Sequence, residues 1–166
     1  MKFTSLFLST IISFIFFISC NSINHKNDPS TNQGMAVHAK NGMVATAHPL
    51  ASEVGAQILR QGGNAFDAAV AVQFALAVVY PRAGNIAGGG FAVYRKANGE
   101  RGSLDFREKA PLQSSRNMYL DDSQNVIDDL SSFGGLSVGV PGSVDGMIAL
   151  HHKLGSLPFA SLIQPA

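Results

Sequence analysis

The fifteen residues from Ala65 to Val79 constrain the fold most, because nearly all of them are apolar, with Asp67 and Gln73 as the main exceptions. Asn64 has the character of a helix N-cap, and Asp67 follows three residues later, where a capping carboxylate belongs. A helix that is apolar on all sides is buried, and at about 22 Å this one is too short to span a bilayer. The sequence therefore predicts a central core helix that Pro81 ends.

Shorter elements are predicted on both sides of this helix. Apolar residues recur at helical spacing between Ala51 and Leu59, and the glycines at 62–63 can end that earlier helix in the left-handed conformation. Met43–Thr46 is predicted to be a strand. Ser143–Leu154 is predicted to be a later helix, with Gly155 as its C-cap. This mixture of strands and helices predicts an α/β or α+β fold.

A glycine-rich turn and two short strands lie between the helices. The consecutive glycines Gly88–Gly90 lack a Cβ, so the backbone can approach another segment closely there. Phe91–Tyr94 is β-branched and aromatic, which predicts a buried strand. A turn at Asn98–Gly99 should return the chain into a second strand, Ser103–Arg107.

Charged residues on this second strand form a candidate binding site. Alternation along a strand places Leu104 and Phe106 toward the core and Asp105 and Arg107 on the opposite face. A carboxylate two residues away can orient the guanidinium and leave its other donors free for a ligand's carboxylate. The alternative, favoured by spacing alone, is an exposed ion pair worth about 0–1 kcal/mol. Glu108 is predicted to be a structural ion pair or cap rather than a general acid.

Several runs of sequence occur in an order that is specific to a known family. They are Gly42–Ser52, Gly62–Ala71, Gly88–Phe91, Asp105–Glu108 followed by Ala110-Pro111, and Gly139–Gly142. With these runs the chain resembles, from about Gly42 to Ala166, the beginning of the large subunit of bacterial gamma-glutamyltransferases, also called glutathione hydrolases. The resemblance covers about three quarters of the chain.

This resemblance implies a partial, truncated N-terminal-nucleophile hydrolase fold, an αββα sandwich with two stacked sheets between helix layers. It also implies that Arg107 binds the α-carboxylate of the γ-glutamyl substrate. The family's nucleophile is a threonine that becomes the N-terminus of a small subunit after self-cleavage, and its position is expected beyond Ala166. The chain by itself is therefore expected to be inactive, with no catalytic residue of its own.

The implied reaction transfers the γ-glutamyl group of glutathione or another γ-glutamyl compound to water, an amino acid or a peptide, without a cofactor. The implied protein partner is the small subunit of the same precursor. Two other functions stay open: a β-lactam side-chain acylase of the same superfamily, and a non-catalytic, lipid-anchored relic that only binds glutamyl compounds.

The N-terminus predicts export. Residues 1–19 place Lys2 before a long apolar run, the form of a signal peptide. The single cysteine, Cys20, follows a small residue and resembles a bacterial lipoprotein processing site; a membrane-spanning helix and an unmodified thiol are the alternatives. Residues 20–33 predict a flexible tether, and residues 34–166 form the family-like part. The expected location is periplasmic or on the cell surface, with the protein anchored to the membrane through lipid.

Other functions lack support in the sequence. Twelve basic and eleven acidic residues give a net charge of +1, which does not favour nucleic-acid binding. His151 and His152 are adjacent, so they diverge on a helix and a metal site is not predicted. Ser137 lies in a G-x-S-x-G run, but Pro141 follows too soon for the helix that a nucleophile elbow requires.

Overall fold

The computed structural model describes residues 37–166. The predicted signal peptide at 1–19, Cys20 and the tether at 20–33 lie outside the described residues. The helices and strands, in chain order, are α1 Pro49–Arg60, α2 Ala65–Val79, α3 Pro81–Gly84, β1 Phe91–Arg95, β2 Arg101–Asp105, α4 Ser143–Leu154 and α5 Phe159–Ile163. A 3₁₀ turn, Gly135–Ser137, precedes α4.

Helix α2 begins with the predicted cap. The Asn64 side chain accepts hydrogen bonds from the backbone N–H groups of Phe66, at 2.8 Å, and Asp67, at 3.0 Å. In return, Asp67 Oδ2 accepts from the Asn64 N–H at 2.9 Å. This reciprocal arrangement satisfies orphan N–H groups of the first turn. The preceding helix ends at Gly62, whose φ of +90° is in the left-handed region, as predicted.

One face of α2 is buried and the other is open. Ala68, Val70, Ala71 and Ala75 are buried, whereas Val78 is 62% exposed. The prediction that the helix is buried on all sides is therefore wrong for the described part of the chain. An apolar composition fixes which faces can be buried, but only neighbouring elements decide which face is covered.

The core lies where α1, α2, α4 and α5 meet the inner side of the β-hairpin. Its buried members are Ile58, Ala68, Val70, Ala71, Met147, Leu150 and Leu162. Leu104 and Phe106 pack against this cluster, as the alternation predicted. Gly146 on α4 permits the approach of Phe106, because a Cβ at that position would overlap the phenylalanine side chain.

Strands β1 and β2 form an antiparallel hairpin in which Phe91 pairs with Asp105 and Arg95 with Arg101. Gly99, with φ of +89°, makes the turn between them. The outward residues of β1 are exposed, Phe91 at 64% and Val93 at 87%. The prediction of a fully buried strand is therefore wrong, because the hairpin packs on the helices with one face only.

Residues 43–46 are extended but are not a strand. Their backbone has no ladder partner among the described residues, and Val44 packs instead over Gly55 of α1. None of the helices between residues 37 and 166 combines the length and apolar character that crossing a bilayer requires.

Candidate acid-binding site

Arg107 lies two residues beyond the end of β2, with its side chain 59% exposed. Its Nε donates to Oε2 of Glu108 at 2.9 Å. Its Cζ lies 5.8 Å from the ring centroid of Phe91. Within residues 37–166, the terminal nitrogens of Arg107 make no hydrogen bond or ion pair. Glu108 therefore holds one edge of the guanidinium beside the Phe91 ring, while the terminal nitrogens stay open within the described residues.

Asp105 does not hold the guanidinium. Its Oδ1 accepts instead from the backbone N–H of Arg107 at 3.0 Å. Because β2 ends at Asp105, the chain turns there and the carboxylate reaches the N–H two residues later, as aspartates do in turns. The predicted orienting role of Asp105 is therefore wrong, and Glu108 has that contact. The prediction that Glu108 forms an ion pair is confirmed.

Glu108 is held as a carboxylate by several donors. Its own backbone N–H, then the Arg107 guanidinium and the Gly89 N–H, lower the pKa of Glu108 below its ordinary value, although desolvation opposes them. The side chain is therefore negatively charged at neutral pH and in mild acid. The stable negative charge of the Glu108 carboxylate beside Nε keeps the arginine in one orientation.

The backbone that carries Arg107 is clasped on two sides. Gly90 and Phe106 exchange hydrogen bonds, N–H to O, at 3.3 and 3.0 Å. Beyond the arginine, Lys109 and Val140 do the same at 3.1 and 2.8 Å. Because both flanks are paired, the Cα position of Arg107 is determined by two other segments of the chain.

Gly89 makes one of these approaches possible. A Cβ at this position would lie 2.6 Å from the backbone nitrogen of Glu108, 2.6 Å from the carbonyl oxygen of Phe106 and 2.7 Å from Cα of Arg107. All three are backbone atoms, which cannot move aside as a side chain can. The predicted close approach of the glycine turn is confirmed, and the segment it approaches is the one that bears the arginine.

The run at 139–142 joins the same cluster. Gly88 O accepts from the N–H groups of Gly142, at 2.8 Å, and Ser143, at 3.0 Å. Three of the sequence runs that carry the family resemblance, at 88–91, 105–108 and 139–142, thus meet at one place. A cavity of about 280 Å³ beside Arg107 is bordered by this cluster and by α4.

Sequence reasoning missed Phe91 as part of this site. Its interpretation as a buried strand residue directed attention to the core, although the alternation of β1 already placed it outward. Phe91 lies opposite Asp105 in the ladder, and this pairing puts its ring beside the residue two positions later. The hairpin register was the signal that could have found it.

The other candidates do not form sites. Between residues 37 and 166 no three His, Cys, Asp or Glu side chains come close enough together to hold a metal ion. Ser137 ends a 3₁₀ turn and is followed by extended Val138, so no helix starts there as a nucleophile elbow would need.

Comparison with known proteins identifies clear relatives. The family model for gamma-glutamyltranspeptidase matches residues 51–166. The glutathione hydrolase proenzyme of Pseudomonas sp. (strain A14) is 57% identical over 130 residues, which are 78% of this chain and 23% of that protein. The glutathione hydrolase proenzyme of Escherichia coli (strain K12) is 48% identical over 130 residues, 78% of this chain and 22% of that protein. The chain spans about a quarter of the length of these curated relatives.

Solved structures give the same result for the fold. Helicobacter pylori gamma-glutamyltranspeptidase superposes with a TM-score of 0.75 at 56% identity, covering 79% of this chain and 38% of that chain. The cephalosporin acylase from Bacillus halodurans superposes with a TM-score of 0.73 at 32% identity, covering 87% of this chain and 26% of that chain. The predicted fold class, a partial α/β fold of the N-terminal-nucleophile hydrolases, is confirmed.

Proposed function

This chain belongs to the gamma-glutamyltranspeptidase family, and we propose that it supplies the part of such an enzyme that binds the α-carboxylate of γ-glutamyl donors such as glutathione. The guanidinium of Arg107 carries this proposal. It is exposed, it is oriented by Glu108 through Nε, and its terminal nitrogens have no partner within residues 37–166. A planar fork of donors in this state fits the two oxygens of a carboxylate.

The strength of this contact is sufficient to govern donor binding. Hydrogen bonds to a charged group contribute about 1.5–3 kcal/mol each. Loss of a bidentate pair then weakens binding by about 100-fold or more. By fixing the α-carboxylate, Arg107 sets the distance at which the γ-amide of the donor lies from the nucleophile.

The proposed reaction is acyl transfer in two steps. A threonine hydroxyl, with its own α-amine as base, attacks the γ-amide carbonyl and forms a γ-glutamyl-enzyme. Water or the amine of an amino acid or peptide then takes the acyl group. In this proposal the threonine belongs to the small subunit of the same precursor, formed by self-cleavage beyond Ala166, and residues 34–166 bind the donor without catalysing. The mechanism uses no cofactor.

The test is Arg107→Ala in the complete enzyme. The expected result is a KM for a γ-glutamyl anilide raised by about 100-fold, with self-cleavage intact because the arginine acts on the donor. Arg101→Ala is the matched control, since Arg101 is an exposed arginine on the same hairpin and pairs with Arg95 in the ladder. An unchanged KM in the Arg107→Ala enzyme would end the assignment.

A second candidate activity is that of an acylase, which hydrolyses the side-chain amide of β-lactams. The similarity to the Bacillus halodurans cephalosporin acylase supports it, because that match covers more of this chain than the Helicobacter pylori one does. The lower identity, 32% against 56%, favours the γ-glutamyl donor. Parallel assays of glutathione and glutaryl-cephalosporanic acid separate the two activities.

We also propose that Cys20 is lipidated after removal of residues 1–19 and that residues 20–33 tether the protein to a membrane on its periplasmic or cell-surface side. The support is the order of charged, apolar and small residues before the cysteine. Radiolabelled palmitate should enter the wild-type protein and not the Cys20→Ala variant. Equal labelling of both would refute the anchor.

A further inference from the structure

We propose that Phe91 is a positioning residue whose ring lies against the guanidinium of Arg107 and so orients it toward the donor's α-carboxylate. This inference rests on the proposed function of Arg107. The guanidinium of Arg107 lies over the ring of Phe91, with Cζ 5.8 Å from the centroid. A guanidinium within about 6 Å of a ring centroid is attracted by the negative face of the aromatic system.

Phe91 is a large apolar side chain that is exposed and does not pack into the core. The residue is 64% exposed and is not a member of the buried core cluster. Tyr94, on the inner side of the same strand, makes an edge-to-face contact with Phe66 at 5.3 Å and so contributes to packing. Phe91 instead faces outward, where the side chain of Arg107 lies over it.

Phe91 and Glu108 act on different parts of the same cation. The Glu108 carboxylate fixes the Nε edge at 2.9 Å, and the central carbon, Cζ, lies over the ring of Phe91. The terminal nitrogens, which take a carboxylate end-on, are the part left over. A side chain that is oriented before the ligand arrives loses less freedom on binding, so both contacts should increase affinity for the donor.

The hairpin register provides the mechanical link. Phe91 lies opposite Asp105, and Asp105 Oδ1 accepts from the N–H of Arg107. The position of the ring relative to the arginine is therefore set by the strand pairing together with the Asp105 carboxylate. A substitution at 91 should alter the guanidinium contact without moving the backbone of Arg107.

The experiment compares Phe91→Leu, Phe91→Tyr and Val93→Ala in the complete enzyme. Val93 lies on the same face of β1, is 87% exposed and pairs with Ser103 rather than with Asp105, so it controls for a general effect of the surface. A cation–π contact at an exposed site corresponds to about a 2- to 5-fold change in affinity. We expect Phe91→Leu to raise the donor KM by about that factor at constant kcat, and Phe91→Tyr and Val93→Ala to keep the wild-type KM.

A double substitution distinguishes support of Arg107 from direct contact with the donor. If the ring acts through the guanidinium, Phe91→Leu adds nothing to the KM of the Arg107→Ala enzyme. A further increase in that background would overturn the positioning role. So would a Phe91→Leu enzyme with the wild-type KM, or one that changes kcat alone.

A fluorinated ring provides a second test if the Phe91→Leu precursor does not undergo self-cleavage. Pentafluorophenylalanine at position 91 keeps the approximate shape of the ring but reverses the sign of its quadrupole. The donor KM should rise as it does in the leucine variant, and an unchanged KM would overturn the proposal. If Arg107→Ala itself has the wild-type KM, the proposed function fails; if only the Phe91 variants do, the proposed function stands and this inference fails.

Discussion

Asp67 and Ser156 are joined by two hydrogen bonds although 89 positions separate them in the chain. Oδ1 of the carboxylate accepts from the Ser156 N–H at 2.9 Å, and Oδ2 accepts from the Ser156 hydroxyl at 2.5 Å. The Leu157 N–H approaches Oδ1 at 3.4 Å. The same fully buried carboxylate caps α2 through Asn64. One side chain therefore fixes the start of the central helix and the loop after α4 together.

Asp67→Asn should loosen that loop. An asparagine keeps the size of the side chain, but its amide NH₂ would face N–H groups that now donate to a carboxylate. Loss of hydrogen bonds to a buried charge costs about 3 kcal/mol, so amide protection at Ser156 and Leu157 should fall by about 100-fold. Hydrogen exchange measured residue by residue tests this. Asp145→Asn is the control, because Asp145 is an exposed acid in the first turn of α4, and equal protection in all three proteins would contradict the role.

Acid should release the same contact. Burial would raise the pKa of Asp67, but the Ser156 hydroxyl and the N–H groups of Ser156, Asn64 and Leu157 outweigh it, so the pKa lies below its ordinary value. A lowered folded-state pKa means that the unfolded chain takes up the proton first. The stability that Asp67 contributes is therefore complete above about pH 4 and is lost as the pH falls through the folded-state pKa. Urea unfolding between pH 7 and pH 3 should show a steeper acid loss for the wild type than for Asp67→Asn; parallel curves would refute this.

Gly89→Ala should disable donor binding. The added methyl would press on three backbone atoms of residues 106–108 at 2.6–2.7 Å, so the segment that carries Arg107 must shift. A displacement of about 1 Å at a positioning group can cost about 100-fold in kcat/KM. Gly135→Ala is the matched control, because no atom of residues 37–166, apart from its own and its chain neighbours', lies within 4 Å of its Cβ position. A Gly89→Ala enzyme with normal kcat/KM would show that this approach does not set the arginine.

The Gly135 control also tests an alternative that the sequence offers. Gly135 opens the G-x-S-x-G run around Ser137, and full activity in the Gly135→Ala enzyme agrees with the chance origin of that motif. Inactivity there, with normal self-cleavage, would bring Ser137 back as a candidate nucleophile.

Glu108 should affect donor binding less than Arg107 does. Glu108→Ala removes the partner of Nε but leaves the guanidinium, so we expect the donor KM to rise by about 3- to 10-fold. Glu108→Gln keeps an oxygen that can accept from Nε and should fall between this variant and the wild type. Glu100→Gln serves as the control, since Glu100 pairs with Lys96 at the hairpin turn. Equal KM values for Glu108→Ala and Glu108→Gln would mean that charge alone, and not the hydrogen bond, holds the arginine.

The sequence predicted the helices well because their ends carry local chemistry. Asn64 and Asp67 mark the start of α2, Gly62 ends the preceding helix with a positive φ, and Gly155 follows α4. These contacts involve residues within a few positions of each other, so they are visible in the chain itself.

The errors concern contacts between distant segments. Residues 43–46 have the composition of a strand, but no segment in the described part of the chain pairs with them. Phe91 and Val93 are apolar and yet exposed, because the hairpin packs on the helices with its other face. At the site, alternation placed Arg107 correctly on the outer face, but it could not show that the turn after β2 gives Asp105 the arginine's N–H and leaves the guanidinium to Glu108.

The close approach at Gly89 limits what can be transplanted from this molecule. Grafting Asp-Phe-Arg-Glu onto the edge of another protein would transfer the arginine but not the backbone segments that pair on either side of it. Those segments are residues 88–90 and 140–143, which are distant in sequence and meet only through the fold. To reproduce the setting of Arg107, three separate segments of chain must therefore be held in register, and a four-residue loop cannot replace them.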